Sequence, residues 1–525
     1  MPERPVAGTA DAAAGWRAWL LRAAWALVLA LPLLWQLGGT PLFDVDEGAF
    51  SEATREMLVH DDWGHTTLNG APRYDKPIGI YWLQATSVSA FGLNDFALRL
   101  PSALACWAMA LALAAFAVPR MGLAAGALAG LITVTSIGFQ AIGRAATADG
   151  VLNLLLVLAG LDLWRFLETQ GKAPLRRAYA WVGLGLLVKG PIAVLVPGAA
   201  FLVWILVGRR WRLLRDAIAD LPGWLLLLAI AVPWYVYAWE RDGMDFVRGF
   251  LLKHNVERFT GTIGGHGGTP LYYLLMLPVM AMPWGPLVVV VAARARSLWA
   301  DPLARYLLGW GGFVLLFFSL SGTKLPHYVL YGYAPLVLLM ARALAQATPR
   351  LRYVVGGGVV AWAALAMAVP SIVLSLAPKV RDPLYHALIG GAQAPVLWPA
   401  LVALAVVAVL AFGRFGRAPA WAGPAAAAGV LAVFFSAWLL PWFGETLQGP
   451  IQRAAAVAST HGGRIVQWQV HWPTFSVAVR RETPRIEPAP ADLVLTRSDR
   501  AAPYDAGRPR LFEERGVLLL GPRAP

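Results

Sequence analysis

The sequence predicts a polytopic α-helical membrane protein with a small extracytoplasmic α/β domain at its C-terminal end. Of the 525 residues, 58% are hydrophobic and only 14% are charged, whereas soluble domains are about 25% charged. Apolar runs of membrane-spanning length recur as far as about residue 441. After about residue 445 these runs stop, and Arg, Pro and Asp become frequent.

A helix that crosses a bilayer needs roughly 17–25 predominantly apolar residues. About thirteen runs meet or approach this length, and the fifth and the ninth are short. Arg17 and Arg22 precede the first run and no small-residue cleavage site follows it, so we expect an uncleaved first transmembrane helix. The runs cover approximately residues 18–38, 100–118, 122–142, 150–168, 177–189, 191–207, 222–240, 270–292, 306–320, 326–345, 353–376, 396–413 and 424–441.

Positive charge alternates between the gaps that separate these runs. Because Lys and Arg are enriched in cytoplasmic loops, the Arg-rich gaps and the N-terminus are predicted to face the cytoplasm. The net charge of +14 could suggest a nucleic acid partner, but the Arg residues fall mostly in these gaps, so none is expected. The Arg-rich gaps contain Arg120; Lys172, Arg176 and Arg177; Arg209, Arg210, Arg212 and Arg215; Arg294, Arg296 and Arg305; Arg350 and Arg352; and Arg414 and Arg417.

The first extracytoplasmic loop, about residues 40–99, is too long for a simple connector, and its aromatic content favours order. It opens with Asp44, Asp46 and Glu47, which in general would form a solvated acidic turn. Here the following residues have a helical apolar period, so we predict an amphipathic helix lying in the membrane interface. Asp46 and Glu47 point in different directions on such a helix, so different roles are expected. The apolar positions are Ala49, Phe50, Ala53, Met57 and Leu58.

Further charged residues fall on this same side. Lys76, held extended before Pro77, is interpreted as either snorkelling to lipid phosphate or placing a point charge on a substrate phosphate. Asp149 is predicted to begin a helix, where capping alone accounts for a carboxylate. Lys189 interrupts an apolar run, which favours a function. Others on this side are Arg144, Lys253, His254, Asn255, Glu257, Arg258, His266, Lys324, His327, Tyr328, Tyr331 and Tyr333.

Several enzyme classes lack support in the sequence. It contains no Walker A motif, no Gly-x-Gly-x-x-Gly placed between a strand and a helix, and no metal-spaced Cys/His cluster, so ATP- or NAD-dependent chemistry is unsupported. The sequence also has no elbow-type Gly-x-Ser-x-Gly motif, so a serine hydrolase is unsupported. The single Cys106 excludes an intramolecular disulfide.

The C-terminal region, residues 445–525, is predicted to be a separate small domain after a membrane domain of residues 1–444. RIVQWQV (Arg464–Val470), DLVLTRS (Asp492–Ser498) and GVLLLG (Gly516–Gly521) are typical of short strands. A Pro-rich unstructured tail is the alternative interpretation.

Six stretches between residue 42 and about residue 341 form a series of motifs, of which those of the long first loop are the most specific. In order, these stretches are DVDEGAFSEATREML, DDWGHTTLNGAPRYDKPIGIYWLQA, GLNDFALRLPSAL, LVKGPIAVLVP, KHNVERFTG and SGTKLPHYVLYGYAPLVLLMA. Through them the sequence resembles the ArnT-like lipid-linked-sugar glycosyltransferases, the aminoarabinose transferases that modify lipid A and are related to protein O-mannosyltransferases within the GT-C class.

This resemblance implies a GT-C fold in the bacterial inner membrane, with a cytoplasmic N-terminus and with the active site and the C-terminal domain in the periplasm. It implies transfer of a sugar such as 4-amino-4-deoxy-L-arabinose from undecaprenyl phosphate to lipid A or another periplasm-facing acceptor. A one-step displacement would invert the anomeric carbon. The polyprenyl phosphate is already a leaving group, so no cofactor is required for the chemistry.

The resemblance also assigns residues. Asp46 matches the essential acidic residue of the family's first loop, Asp149 matches its second acidic position, and Glu47 is grouped with them as catalytic. Lys76 matches the lysine associated with the donor phosphate. The other residues expected to bind the donor phosphate are Arg55, Lys189, Lys324, Arg144, Tyr74 and His327.

A structural zinc ion is a further implication. Family members bind zinc between an acidic residue of a Glu-Lys-Pro-Pro motif and a loop histidine, which correspond here to Asp75 and His266. This sequence departs from the motif, with Asp75 for Glu and Ile78 for the second Pro.

Other functions stay open at this point. A transporter also has many helices with intramembrane charges, but here the charges cluster at one interface and no internal repeat is evident. A structural or binding membrane protein would not require these charges together. A protein O-glycosyltransferase with the same donor chemistry is the nearest alternative, because the sequence identifies neither the sugar nor the acceptor.

Overall fold

The computed structural model describes residues 9–257, 261, 267–413, 415, 416 and 418–523, and most of these are helical. π-Helical segments lie at Val247–Glu257 and Phe435–Leu439, and 3₁₀ segments at Pro326–Gly332, Ala377–Lys379 and Ser498–Arg500. The α-helices are α1 (Thr9–Leu34), α2 (Asp46–Val59), α3 (Gly79–Phe91), α4 (Asp95–Met121), α5 (Leu123–Thr135), α6 (Ile137–Gly143), α7 (Asp149–Thr169), α8 (Lys172–Lys189), α9 (Ile192–Gly208), α10 (Trp211–Ile218), α11 (Leu221–Phe246), α12 (Tyr272–Met280), α13 (Gly285–Ala293), α14 (Ala295–Leu298), α15 (Pro302–Leu320), α16 (Tyr333–Ala345), α17 (Pro349–Leu376), α18 (Pro383–Gly390), α19 (Trp398–Phe412), α20 (Ala422–Phe434), α21 (Leu440–Ser459), α22 (Pro473–Val479) and α23 (Ala502–Asp505).

The described residues contain seven helical stretches that are long and apolar enough to cross a membrane. α5 and α6, which are bent by 62° where they meet, make an eighth if they form one span. Three shorter apolar helices are Trp19–Leu34, Ile192–Gly208 and Trp398–Phe412. A multi-pass membrane protein is therefore confirmed, whereas the number thirteen stays a prediction. The seven stretches are Asp95–Met121, Asp149–Thr169, Leu221–Lys253, Pro302–Leu320, Pro326–Ala345, Pro349–Lys379 and Ala422–Ser459.

The predicted helix of the first loop forms as α2, and it is enclosed by protein. Its residues from Glu47 to Met57 are all buried, because α3 and α22 cover it. Polar side chains of this helix are paired inside the protein; for example, Thr54 Oγ1 donates to Gln84 Oε1 at 2.8 Å. The expected polar face open to water is therefore absent from Glu47 to Met57, whereas the position of α2 at the membrane interface stays a prediction.

A small sheet domain follows the membrane helices, as predicted, and is called the C-terminal unit (residues 440–523). Its strands β3 (Ile465–Gln467), β4 (Leu493–Arg497), β5 (Arg510–Glu514) and β6 (Val517–Leu520) lie in the order β3-β4-β6-β5. β3 and β4 are parallel and are connected through α22, and the other pairs are antiparallel. The three predicted strands are present, and β5 is additional. The first loop contributes a separate hairpin of β1 (Thr67–Leu68) and β2 (Ala71–Pro72).

One continuous helical stretch connects the C-terminal unit to the membrane helices. Ala422–Ser459 has 38 residues, which corresponds to roughly 57 Å at 1.5 Å per residue. The hydrocarbon core of a bilayer is about 30 Å thick, so the second half of the stretch projects beyond it and carries the sheet. The predicted boundary at residue 445 falls inside this helix, and the division into two domains stays a prediction.

Candidate active site

Asp149 lies at the centre of a buried polar cluster. Lys189 Nζ donates to Asp149 Oδ1 at 2.5 Å, and the Tyr331 hydroxyl donates to the same oxygen at 2.8 Å. Lys189 Nζ also donates to the Tyr331 hydroxyl at 3.0 Å. His327 Nε2 lies 3.7 Å from Asp149 Oδ1. The structure thus brings together four residues that the sequence placed on one side of the membrane.

Helix ends place the two charges of this cluster. α7 begins at Asp149, where a carboxylate is favoured by the helix dipole, and α8 ends at Lys189, where a cation is favoured. Gly190 ends α8 with a φ of +75°, which a glycine adopts without strain. A Cβ atom at Gly190 would lie 2.5 Å from the ring of Phe250. The backbone at this glycine therefore fixes where Lys189 emerges.

Glu47 is committed to a set of contacts that hold the first loop in place. Arg99 donates to both of its carboxylate oxygens, from Nε and from Nη2, each at 2.8 Å. The backbone N–H groups of Ala146 and Phe43 donate to it at 2.8 and 2.9 Å. These bonds join α2 to α4 and to the turn that precedes Asp149. The geometry favours a positioning role for Glu47, and its predicted catalytic role stays a prediction.

Asp46, the neighbour of Glu47, is neither buried nor hydrogen-bonded in the way that Glu47 is. It is exposed, and its carboxylate makes no hydrogen bond or ion pair with any residue that the structure describes. Arg73 lies nearby: burial lowers the pKa of this guanidinium, but Tyr81 and the carboxylates of Asp75 and Asp46 raise it, and the net direction is upward. Of the adjacent pair Asp46 and Glu47, Asp46 is therefore the carboxylate that is open to a substrate.

Arg73, whose charge interacts with that of Asp46, lies three residues before Lys76. Arg73 Nη2 is 3.3 Å from Asp75 Oδ2, and Arg73 Nε donates to the Tyr81 hydroxyl at 3.0 Å. Lys76 Nζ donates to the backbone carbonyl of Asp75 at 2.8 Å. Arg73 was not singled out from the sequence, although its place in APRYDKP, two residues before Asp75, was a usable signal.

Tyr74, also predicted to bind donor phosphate, faces the π-helical segment Val247–Glu257. Its ring centroid lies 6.3 Å from that of Phe246. A Cβ atom added to Gly249 would lie 2.7 Å from the Tyr74 Cβ atom, so this backbone packs closely on it. Its role at the donor phosphate stays a prediction.

Three residues predicted to bind the donor phosphate make other contacts in the structure. Arg144 donates to the carbonyl of Leu33 at 2.9 Å and so closes the end of α1. Lys324 donates to the carbonyl of Ser321 at 2.7 Å, after the end of α15. Arg55 Nη2 lies 2.6 Å from Glu52 Oε1 inside α2. The described contacts do not join these three side chains to the Asp149 cluster, and their predicted roles stay predictions.

Of the two predicted zinc ligands, Asp75 lies in the part of the chain that the structure describes. His266 lies outside the described residues, and Asp75 is ion-paired with Arg73. Within the described part of the chain, no group of three or more His, Cys, Asp or Glu side chains is arranged to hold a metal ion. The zinc ion stays a prediction.

The C-terminal unit also contacts the first loop, which the sequence did not indicate. Asp44 Oδ1 accepts from the Thr474 backbone N–H at 3.0 Å, and Asp44 Oδ2 accepts from the Thr474 hydroxyl at 2.5 Å. Burial raises the pKa of Asp44 to about 7. The N-terminal turn of α2, with Asp46, is thus bounded on one side by the C-terminal unit.

Known proteins are similar to this chain in sequence and in fold. A family model described as dolichyl-phosphate-mannose-protein mannosyltransferase matches residues 75–237. An Erwinia tasmaniensis protein named undecaprenyl phosphate-alpha-4-amino-4-deoxy-L-arabinose arabinosyl transferase is 30% identical over 401 residues, 73% of this chain and 71% of that protein. A protein of the same name from Enterobacter sp. is 29% identical over 397 residues, 73% of this chain and 70% of that protein. The crystal structure of ArnT from Cupriavidus metallidurans bound to undecaprenyl phosphate has the same fold, with a TM-score of 0.79 at 20% identity over 96% of this chain and 98% of that one.

Proposed function

The chain belongs to the family of undecaprenyl phosphate-α-4-amino-4-deoxy-L-arabinose arabinosyl transferases, glycosyltransferases of the GT-C type, and we propose that it transfers this aminosugar from undecaprenyl phosphate to lipid A. The proposed site is the periplasmic face of the inner membrane, with the N-terminus in the cytoplasm. The observation that carries the proposal is a contrast between two adjacent carboxylates. That of Glu47 accepts both bonds of Arg99, whereas that of Asp46 is exposed and has no hydrogen-bond or ion-pair partner among the described residues.

The reaction breaks the bond between the anomeric carbon of the sugar and a phosphate oxygen of the donor. An acceptor oxygen forms the new bond from the opposite face, so the anomeric configuration inverts and undecaprenyl phosphate leaves. The enzyme must mainly stabilise the charge of the departing phosphate and place the acceptor. Lys76, which is partly exposed, supplies a cation for that phosphate.

Asp149 acts through the residues that it holds. Its Oδ1 accepts from Lys189 and Tyr331, so it fixes the Lys189 ammonium group and the Tyr331 hydroxyl in one arrangement. His327 lies within 3.7 Å of the same oxygen. We assign Asp149 a positioning role for these groups, and Lys189 a role in stabilising phosphate charge.

Asp46 orients the acceptor. If the acceptor is a hydroxyl, the carboxylate also takes its proton as a general base. If the acceptor is a phosphate of lipid A, that group is already ionised and needs no strong base. The substitution Asp46→Asn removes the charge and keeps the shape, so it tests whether this carboxylate is needed in either case.

The test uses the purified protein in liposomes, with undecaprenyl phosphate-aminoarabinose as donor and lipid A as acceptor. Mass spectrometry of the lipid A is expected to show a pentosamine-sized increment with the wild-type protein and little with Asp46→Asn. Asp61→Asn is the matched control, because Asp61 is an exposed carboxylate of the same loop that accepts a hydrogen bond from Trp63 Nε1. Unmodified lipid A with the wild-type protein would contradict the proposed acceptor.

A protein acceptor is the second candidate, favoured by the description of the family model that matches residues 75–237. Cells with and without the gene distinguish the two acceptors. Glycosylated periplasmic protein together with unchanged lipid A would select the protein acceptor.

A further inference from the structure

α22 packs against the helix turn that carries Asp46, and residues 468–472 join β3 to α22. The two bonds from Thr474 to Asp44 hold α22 there. The approach is close, because a Cβ atom on Gly48 would lie 2.6 Å from the Thr474 nitrogen. The residues that immediately precede α22 are therefore held near this turn.

The shape of this segment is fixed from inside the C-terminal unit. Gln467 Nε2 donates to the Trp472 carbonyl at 3.1 Å, and Gln467 Oε1 accepts from the Trp472 N–H at 2.8 Å. Trp472 is itself buried in the core beneath the sheet. The residue before it, His471, consequently has a defined position.

His471 has unused hydrogen-bonding capacity. Its Nδ1 atom is buried without a hydrogen-bond partner among the described residues, and its Nε2 atom has none there either but remains open to solvent. Folded proteins tolerate a buried acceptor without a partner better than a buried N–H without one. The tautomer with the proton on Nε2 is therefore favoured, and it presents an N–H donor toward the solvent side.

Two guanidinium groups and one carboxylate lie within electrostatic reach of His471, and Arg73 is itself 3.3 Å from the Asp75 carboxylate. The charges of Arg485, Arg73 and Asp75 all act on the His471 ring. Arg485 Nε donates to the Val470 carbonyl at 3.0 Å. The Arg485 side chain is exposed, and it forms no ion pair with any carboxylate of the described residues. Two guanidinium groups and one imidazole N–H thus lie around a region that also contains Asp75.

We propose that His471 and Arg485 bind the phosphate monoester of the acceptor lipid and hold it beside Asp46. This inference rests on the proposed function and adds a binding site for the acceptor. A phosphate next to Asp46 and Asp75 needs cationic donors to offset like-charge repulsion, and charge-assisted N–H bonds to phosphate are short and strong. The donor phosphate is assigned separately to Lys76 and Lys189.

The test is steady-state kinetics in liposomes, with undecaprenyl phosphate-aminoarabinose as donor and lipid A carrying both of its phosphates as acceptor. His471→Gln and Arg485→Gln are each expected to raise the KM for lipid A about tenfold, the loss of one charge-assisted hydrogen bond, and to leave the donor KM unchanged. Arg500→Gln is the matched control, since Arg500 is exposed and donates to the Gln469 carbonyl at 2.8 Å in the same segment. Lipid A without phosphates is expected to be a poor acceptor.

The outcomes separate the inference from the proposed function. An unchanged lipid A KM in both variants, or a raised donor KM in place of it, would overturn the inference while transfer by the wild-type protein upholds the function. No transfer to lipid A by the wild-type protein would overturn both. If His471→Gln fails to fold, Arg485→Gln decides the question, because that side chain lies on the surface.

Discussion

Glu47 and Arg99 form a two-point ion pair that ties the N-terminal turn of α2 to α4, with both oxygen-to-nitrogen distances at 2.8 Å. The two side chains are only 7% and 3% exposed. Arg99 also donates to the carbonyls of Leu37 and Pro41, at 3.2 and 3.0 Å. The Arg99 guanidinium group therefore holds both the chain that follows α1 and the first turn of α2.

Glu47→Gln is expected to lower the free energy of unfolding by about 3–5 kcal/mol, because it leaves the Arg99 charge buried without its partner. The measurement is the thermal unfolding midpoint of the purified protein. Glu482→Gln is the control, since Glu482 is a half-exposed carboxylate that lies 3.0 Å from His60. An equal midpoint for Glu47→Gln and the wild-type protein would show that the pair contributes little.

Asp149→Asn and Lys189→Met are each expected to reduce kcat by roughly 10²–10³, the range seen when one electrostatic group of an active site is removed. The double variant should lose little more than either single variant, since Asp149 acts by holding Lys189 and the two form one unit. Transfer rates in liposomes give all three values. Asp245→Asn, at an exposed carboxylate, is the control, and additive losses would argue for independent roles.

Stability should fall as pH rises from about 4 to about 7, in part because of Asp44. Burial raises its pKa from 3.8 to about 7, so in this window the folded state keeps a proton that the unfolded state has lost. The free energy of unfolding decreases wherever the folded state binds more protons, and this contribution is constant above about pH 7. Glu52, whose pKa burial raises to about 8, acts in the same direction.

The measurement for Asp44 compares unfolding midpoints at pH 5 and pH 8. Asp44→Asn removes the Asp44 contribution and keeps that of Glu52, so its midpoint should change less between the two pH values than that of the wild-type protein. Identical pH dependence in the two proteins would mean that Asp44 titrates alike when folded and unfolded.

Cysteine labelling tests the orientation, because the single natural Cys106 is buried and should react poorly. The assay adds a membrane-impermeant maleimide to intact inner-membrane vesicles whose periplasmic face is on the outside. A cysteine at position 486 in place of Ile486, which is 44% exposed in the C-terminal unit, is expected to react. A cysteine at Arg212, whose side chain is 81% exposed, should react only after the membrane is opened. The reverse pattern would invert the topology.

Lys189 could be singled out from the sequence because a charge that interrupts an apolar run needs a reason. Asp149 was assigned through the family resemblance, since helix capping alone accounts for a carboxylate at that position. The sequence did not separate Glu47 from Asp46, since adjacency on a helix indicates different directions but not which side chain finds Arg99. β5 was not predicted because RLFEE has few apolar residues, and its pairing with β6 supplies what its own pattern lacks. The covering of α2 was also out of reach, because it depends on a contact with residues far away in the chain.

That long-range contact has a consequence for biosynthesis. Thr474 is made 430 positions after Asp44, so the first loop waits through most of translation for the partner that covers it. During this interval Asp44 and the adjoining face of α2 lack the groups that bond them in the folded protein. A ribosome that stops before α22 therefore releases a chain whose membrane helices are made but whose Asp46 turn lacks the C-terminal unit that bounds it.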